Sequence, residues 1–384
     1  MRGNQNRVTA EGAPDSSRVV LVGIIGAGSA LWGYLHALDR LAPRGYAQEG
    51  LICARNRERW PDILRRRPHA RLVSDPAEVL ESEAEVLVIV TPPDTHVELA
   101  KAALAHGKHV VVEKPLGTTP TEARNLVEFA QSRHLHLLAS PFVYLSPTFR
   151  ALWTRVRRGD IGDVHSGRAL YGNLGSAHAA WYHTGGIGPL AELGIYNVKS
   201  LTALIGPVRA VYAAQMTALR PRAVAGRRIA NPDPDVVHAL IQHQSGALSS
   251  VVASHAIWTY RRTAIELYGT NGTANLLGDD WDPRAYEVWQ STAGAWEVHD
   301  SIDPTWHWSD GLRELVTALR ERRAPLASLE HDLHVLDVIE AASLSANSGQ
   351  AVEVTSTYDL PDLTLDDSMA SYVHDHTRSP DEQQ

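Results

Sequence analysis

The stretch Val19–Leu38, V-V-L-V-G-I-I-G-A-G-S-A-L-W-G-Y-L-H-A-L, constrains this chain more than any other. Its β-branched apolar run reads as a strand buried in a parallel sheet. The run breaks at Gly26-Ala27-Gly28 and resumes at helical spacing through Leu31, Leu35 and Leu38. A strand turning tightly into a helix aims backbone N–H groups and a positive dipole end at one point, which suits a pyrophosphate. Gly26 permits the turn, Gly28 lets a phosphate approach bare backbone, and Ser29 and Ala30 lead into the helix. The dinucleotide fingerprint has a third small residue where this chain has Leu31, a departure that touches helix–strand packing rather than phosphate contact. A plain βα turn with two glycines reads similarly, so the motif gains force only from its company.

Strand and helix signals alternate from this unit to about Ser140. Strands are expected at Gly50–Ala54, Ala70–Ser74, Val86–Thr91, His109–Glu113 and His134–Ala139. Helices are expected at Glu58–Arg67, Ala77–Ser82, Thr95–His106 and Pro120–Arg133. That alternation predicts a doubly wound parallel sheet over 18–140, a Rossmann-type dinucleotide domain. Its ligand crevice is formed by the loops after Ile25, Ile52, Val90 and Val112. Beyond Ser140 come longer strand-like runs: Val164–Tyr171, Val208–Met216, Val236–His243, Ala247–His255, Thr263–Tyr268, Tyr286–Gln290 and Trp296–Val298. Turn signals such as Gln244-Ser245-Gly246 separate several of them. With helices at Ser146–Gly159, Pro189–Gly206, Trp308–Arg323 and Leu329–Ser348, they predict an open, mostly antiparallel α+β domain over 141–355. The fold class is thus α/β followed by α+β, in keeping with 384 residues. Residues 1–17 and 356–384 read as polar tails.

A net charge of −8 without long runs of one sign argues against nucleic acid or an anionic membrane as partner. The single cysteine, Cys53, excludes a disulfide framework and a cysteine metal cluster. The pairs His134/His136 and His374/His376 lack a third ligand at useful spacing, so no metal is expected. No secretory signal or apolar run of membrane-spanning length occurs, and a cytoplasmic location is expected.

Three further pieces fall at strand ends. The second strand ends in Ala54 followed by Arg55 and Arg57, where an NAD site wants a carboxylate for the ribose 2′-hydroxyl. Arginines pair with a 2′-phosphate, so this end leans towards NADP, with NAD possible. The plainer reading is that both arginines open a solvated helix. Next, Thr91-Pro92-Pro93-Asp94-Thr95-His96 rigidifies the loop after the strand Val86–Thr91. Last, Val110–Val112 delivers Glu113-Lys114-Pro115 to the carboxyl edge. Of 36 Lys and Arg residues only Lys101, Lys108, Lys114 and Lys199 are lysines, so a lysine here stands out. An amine shares a proton in a way that a guanidinium cannot, although most strand-end lysines simply snorkel.

These motifs resemble those of the Gfo/Idh/MocA family of NAD(P)-dependent oxidoreductases. The resemblance rests on G-I-I-G-A-G, V-T-P-P-D-T-H, the E-K-P triplet and Gly185–Tyr196, and extends to Gly159-Asp160-Ile161-Gly162 and Glu330–Val335. It implies a Rossmann domain joined to an open antiparallel sheet, with a small-molecule substrate held between them. It implies a cofactor edge comprising Gly26, Gly28, Ser29, Ala30, Ala54, Arg55, Arg57, Thr91, Pro92, Pro93, His96, Glu113 and Lys114. Lys114 is then the catalytic lysine, and its bond to Pro115 is often cis in relatives. Most relatives have D-x-G-x-H in the second domain; Glu192 stands here at the aspartate position and Tyr196 at the histidine position. Tyrosine there resembles the branch containing glucose–fructose oxidoreductase and dimeric dihydrodiol dehydrogenases, which tend to use NADP. Relatives commonly pair through the outer face of the second sheet, so a homo-oligomer is expected.

Glu192 and Tyr196 are four apart on one expected helix and project from one face. A free phenol has a pKa of about 10, roughly three units too high for a base at neutral pH, or about 4 kcal/mol. An ammonium at about 4 Å contributes about that much at an effective dielectric near 20. A neighbouring Lys114 would therefore suffice to make Tyr196 a usable base. Glu192 is assigned to the catalytic set as a binder of substrate hydroxyls, and Trp181, His183 and Asn197 to the pocket wall. The expectation is hydride transfer between NADP(H), or NAD(H), and a cyclic polyol, sugar or sugar derivative. Two alternatives stay open: a redox-neutral reaction with retained cofactor (epimerisation, elimination or glycosidic cleavage), and a non-enzymatic NAD(P)-binding sensor.

Overall fold

The computed structural model describes residues 18–230, 232–261, 264–359 and 362–364. They divide into two compact units: the chain through Ser140 together with His307–Leu329, and Pro141–Trp306 together with the chain from Glu330 onward.

The first unit is built on six parallel strands, β1 (Val20–Ile25), β2 (Ala47–Cys53), β3 (Arg71–Val73), β4 (Val86–Ile89), β5 (His109–Val112) and β6 (Leu137–Ala139), in the order β3-β2-β1-β4-β5-β6. The valine- and isoleucine-rich strands β1, β4 and β5 are almost wholly buried, as a parallel sheet covered on both faces requires. Crossovers are α1 (Leu31–Leu41), α2 (Trp60–Arg66), α3 (Pro76–Leu80), α4 (His96–Ala105) and α5 (Pro120–Ser132). Side chains of Asp75 and Thr119 cap α3 and α5 by accepting from Ala77 and Glu122 N–H groups.

The second unit begins with α6 (Pro147–Arg157) and β7 (Val164–Gly172), then α7 (Trp181–Thr184) and α8 (Ile195–Ile205). The strands β8 (Val208–Met216), β9 (Arg222–Val224), β10 (Arg227–Ile229), β11 (Val236–His243), β12 (Leu248–Ser254), β13 (Ile265–Gly269), β14 (Gly272–Asp279), β15 (Asp282–Gln290) and β16 (Trp296–Asp300) follow. Helix α9 (Gly311–Glu321), α10 (Leu329–Ser348) and β17 (Val352–Glu353) complete the chain. Nine of these strands form one sheet, β16-β15-β14-β13-β7-β12-β11-β8-β17, antiparallel except for β12 beside β7. Helix α8 lies on β7, β12 and β13, and α6 on β14 and β15.

Four features depart from the expected architecture. Helix α9 does not stay in the 141–355 domain but joins the first unit, lying against α1, β5 and β6. Trp308 packs on Gly33, where a Cβ would come within 2.3 Å of its ring, and the Ser309 hydroxyl donates to the Gly33 carbonyl at 2.8 Å. Strand β14 was not anticipated, because G-T-A-N-L-L-G-D is framed by turn residues; pairing on both sides makes it a strand. The expected helix Pro189–Gly206 opens with a π-helical turn, Leu190–Gly194, before α8. The expected tail from 356 is partly packed: Tyr358 stacks on His331 at 4.3 Å and donates to the Thr202 carbonyl, and Leu363 is buried. Residues 1–17 and 365–384 lie outside the described residues.

Candidate active site

At the head of α1 the chain leaves β1 through Gly26, whose φ is +117°. A Cβ on Gly26 would sit 2.6 Å from the Val90 carbonyl oxygen, so only glycine fits this turn. Gly28 faces open space apart from that same oxygen at 3.7 Å. Ser29 and Ala30 complete the turn, and α1 starts without a side-chain cap, its positive end directed at the turn. This cradle fits a pyrophosphate. Leu31, at the third-glycine position, is fully buried, and Gly33 instead supplies the close approach, towards Trp308.

Ala54 is buried beyond β2, its carbonyl accepting from Trp60 Nε1 at 2.9 Å. Arg55 and Arg57 are exposed. The Arg57 guanidinium lies over the Trp60 ring at 5.3 Å and donates to Ser74 Oγ at 3.0 Å, so it is aimed across the ends of β2 and β3. Pro92 is exposed and Pro93 buried. His96, expected at the cofactor edge, is buried: Nδ1 lies 2.8 Å from the Pro115 carbonyl and Nε2 2.9 Å from the Thr91 carbonyl. Its ring therefore ties the Thr91 loop to the turn after Lys114, which is a supporting role rather than the contact expected of it.

The Lys114–Pro115 bond is cis. Glu113 is buried and accepts from the Tyr34 hydroxyl at 2.9 Å, the Ser140 hydroxyl at 3.3 Å and the Lys114 N–H at 3.2 Å. Its carboxylate thus anchors the backbone at Lys114, whose side chain is half-buried. Tyr34 in turn meets Trp308 edge-on at 5.6 Å.

In the second unit, every residue from Leu190 to Leu204 is buried except Tyr196. The Tyr196 ring meets Tyr171 of β7 edge-on at 5.9 Å. Glu192 is buried in the π turn, and Gly194 lets that turn press on β12, where a Cβ would lie 3.1 Å from Ala253. Burial, helped by Asp280, Tyr260, Asp279 and Glu192, holds the Tyr171 hydroxyl above the ordinary phenol range. Three buried polar ties fix α8. Asn197 Nδ2 donates to Asp280, the Lys199 ammonium pairs with Asp332, and the Thr202 hydroxyl lies 2.7 Å from His331 Nε2. Burial pushes Asp332 up to about 6 and Lys199 down.

Asn197, expected on the pocket wall, is fully buried and spends its amide on Asp280. His183 is also buried; Nε2 lies 3.0 Å from the Ser176 carbonyl, and burial lowers the ring's basicity. Trp181 is half-buried against Tyr182 at 4.2 Å. Asp280, Tyr260 and Tyr171 escaped the sequence reading. Asp280-Trp281 is the two-residue turn between β14 and β15, and nothing in G-D-D-W-D shows that it faces α8. Among the described residues no group of three His, Cys, Asp or Glu side chains is placed to hold a metal, and no helix is long and apolar enough to cross a membrane.

A glycine-cradled Rossmann sheet in one chain with an open, mostly antiparallel sheet defines a two-domain, nucleotide-dependent oxidoreductase. The model for an oxidoreductase family with an NAD-binding Rossmann fold matches residues 20–140, and the model for that family's C-terminal domain matches 149–275. The chain belongs to the Gfo/Idh/MocA family and is an oxidoreductase. Trans-1,2-dihydrobenzene-1,2-diol dehydrogenase of Bos taurus is 28% identical over 267 residues, covering 68% of this chain and 75% of the relative. D-apiose dehydrogenase of Paraburkholderia graminis is 26% identical over 311 residues, 74% of this chain and 77% of the relative. Levoglucosan dehydrogenase, solved with NADH and levoglucosan, shares the fold with a TM-score of 0.79 at 20% identity, over 88% of this chain and 100% of that one.

Proposed function

We propose that this enzyme transfers hydride between NADP(H) and a secondary alcohol of a cyclic polyol, sugar or dihydrodiol. When bound, the nicotinamide accepts or returns the hydride. Tyr196 is the one residue from Leu190 to Leu204 that is not buried, and this observation carries the reading. Tyr196 takes the proton of the substrate hydroxyl during oxidation and returns it during reduction. Lys114, held at its backbone by Glu113, orients the same oxygen and stabilises its negative charge. Glu192 and Trp181 contribute to substrate binding. Gly26, Gly28, Ser29 and Ala30 hold the pyrophosphate, with Thr91, Pro92 and Pro93 beside them. The names of the two dehydrogenase relatives and of the levoglucosan enzyme support the substrate class.

The NADP preference rests on Ala54 in place of a carboxylate and on Arg57, braced by Trp60 and Ser74. NAD is the second cofactor to test, given the NADH in the levoglucosan enzyme's structure. The chain also pairs with a second copy through the open face of the nine-stranded sheet, where exposed Leu240 and Tyr212 lie directly opposite each other, with Met216 and Leu248 nearby. Light scattering on Tyr212→Glu/Leu240→Glu would show a monomer.

The deciding experiment follows reduced-nicotinamide absorbance with trans-1,2-dihydrobenzene-1,2-diol, D-apiose and levoglucosan under NADP+ and NAD+. At least one is oxidised, and Tyr196→Phe and Lys114→Ala each lose about 10²–10⁴-fold in kcat. Undiminished turnover in either variant overturns the assigned roles.

A further inference from the structure

Asp280 occupies the turn between β14 and β15, where Gly278 at φ +103° sits at the shift in strand register. Its carboxyl is directed into the second unit and is almost completely buried. One oxygen accepts from Asn197 Nδ2, next in sequence to Tyr196; the other accepts from the Tyr260 hydroxyl at 3.3 Å. Asn197 Oδ1 is buried with no hydrogen-bond donor among the described residues. A carboxylate can only accept, so it takes the amide N–H₂ and leaves that carbonyl oxygen unmet. A carboxylic acid can donate, and a turn of the amide would then satisfy Oδ1. The two protonation states therefore favour two orientations of the Asn197 amide in the first turn of α8.

We propose that Asp280 is a positioning residue for Tyr196, its ionisation switching the bond to Asn197 and setting the pH at which Tyr196 takes a proton. The proposal rests on the acid–base reading of Tyr196. The groups facing Asp280 are Asn197 of α8, Tyr260 after β12, Tyr171 of β7 and Asp279 of β14, with Glu192 acting on Tyr171 beside them. Burial pushes Asp280 up to about 7, against the bonds from Asn197 and Tyr260 that lower it, while Asp279 adds to the rise. Once ionised, Asp280 holds the proton on Tyr171, whose ring meets that of Tyr196, and the same charge opposes a further anion at the Tyr196 phenol, which then keeps its proton to higher pH.

The test is the pH profile of kcat and kcat/KM, from pH 5 to 10, for the full chain with trans-1,2-dihydrobenzene-1,2-diol and NADP+. The wild type should show one ionisation near neutrality and a second, alkaline one. Asp280→Asn should lose the first and move the second down by about one pH unit, with KM within about twofold. Tyr260→Phe, which keeps the carboxyl but removes a donor to it, should move the first ionisation upward. An Asp280→Asn profile that superimposes on the wild type, with Tyr196→Phe inactive, overturns this proposal alone. Undiminished turnover in Tyr196→Phe overturns the acid–base reading and this proposal with it. A substrate-free arm compares thermal midpoints of the wild type and Asp280→Asn between pH 4 and 8. The folded-state pKa lies above the unfolded value of 3.8. The stability contributed by the neutral carboxyl is therefore full below about pH 4 and lost as pH rises through about 7. The wild-type midpoint should fall relative to Asp280→Asn across that window, and a parallel pair of curves overturns the proposal.

Discussion

In the parallel-sheet unit the residues proposed to meet a cofactor lie within a few positions of a strand's carboxyl end: Gly26 after β1, Ala54 after β2, Thr91 after β4 and Lys114 after β5. In the mixed-sheet unit Tyr196 stands on a helix held by Asp280 and Asp332, which lie 83 and 133 residues beyond their partners Asn197 and Lys199. The first arrangement is fixed by backbone ladders and by glycines that tolerate no side chain. The second depends on buried polar and charged pairs, whose strength changes when a partner is removed or a proton is gained. Steric changes should therefore disable the first unit, and charge changes the second.

The strongest break comes from Gly26→Ala, which forces a Cβ against the Val90 carbonyl in a left-handed backbone. NADPH affinity should fall by several hundred-fold, about 4 kcal/mol of strain and lost contact, in a tryptophan-fluorescence titration. Lys199→Ala comes next, since it strands Asp332 in a fully buried site; urea unfolding should show a loss of about 3 kcal/mol. Lys199→Met/Asp332→Leu should recover most of that loss, which would separate a charge effect from a packing one. Arg57→Ala should weaken NADPH by about 10–30-fold, or about 2 kcal/mol, and leave NADH unchanged. The smallest effect is expected from Gly33→Ala, where the far edge of the Trp308 ring must shift. A loss of about 1 kcal/mol with unaltered NADPH affinity would show that this glycine serves packing alone.

The same contrast explains what could be read from the chain. Strands β1, β4 and β5 announce themselves as valine and isoleucine runs, and the cofactor turn needs only a few consecutive residues, so both were legible. Tyr196, proposed as the acid–base residue, could be singled out through the spacing of its motif. Its supports could not. Asp280 lies on a hairpin whose first strand, β14, looks like a turn, and its meeting with Asn197 exists only once the sheet has formed. The π turn at Leu190–Gly194 leaves no mark on a helical apolar pattern. His96 reads as a polar helix start, yet two backbone carbonyls claim its ring. Return of α9 to the first unit was hidden for a related reason: an amphipathic helix declares that it covers a sheet, not which one.

That returning helix has a consequence for how the protein is made. Ribosomes emit the six-stranded sheet early, but its cover arrives only with His307–Leu329, after all of the other unit except α10 and the closing segment. Until then the groove beside Gly33 and Tyr34 is bare, and Asp310 has yet to reach Arg40, with which it pairs at 2.9 Å. A fragment stopped at Ser140 should therefore emerge sticky and protease-sensitive, and supplying His307–Leu329 on a tether should cure it.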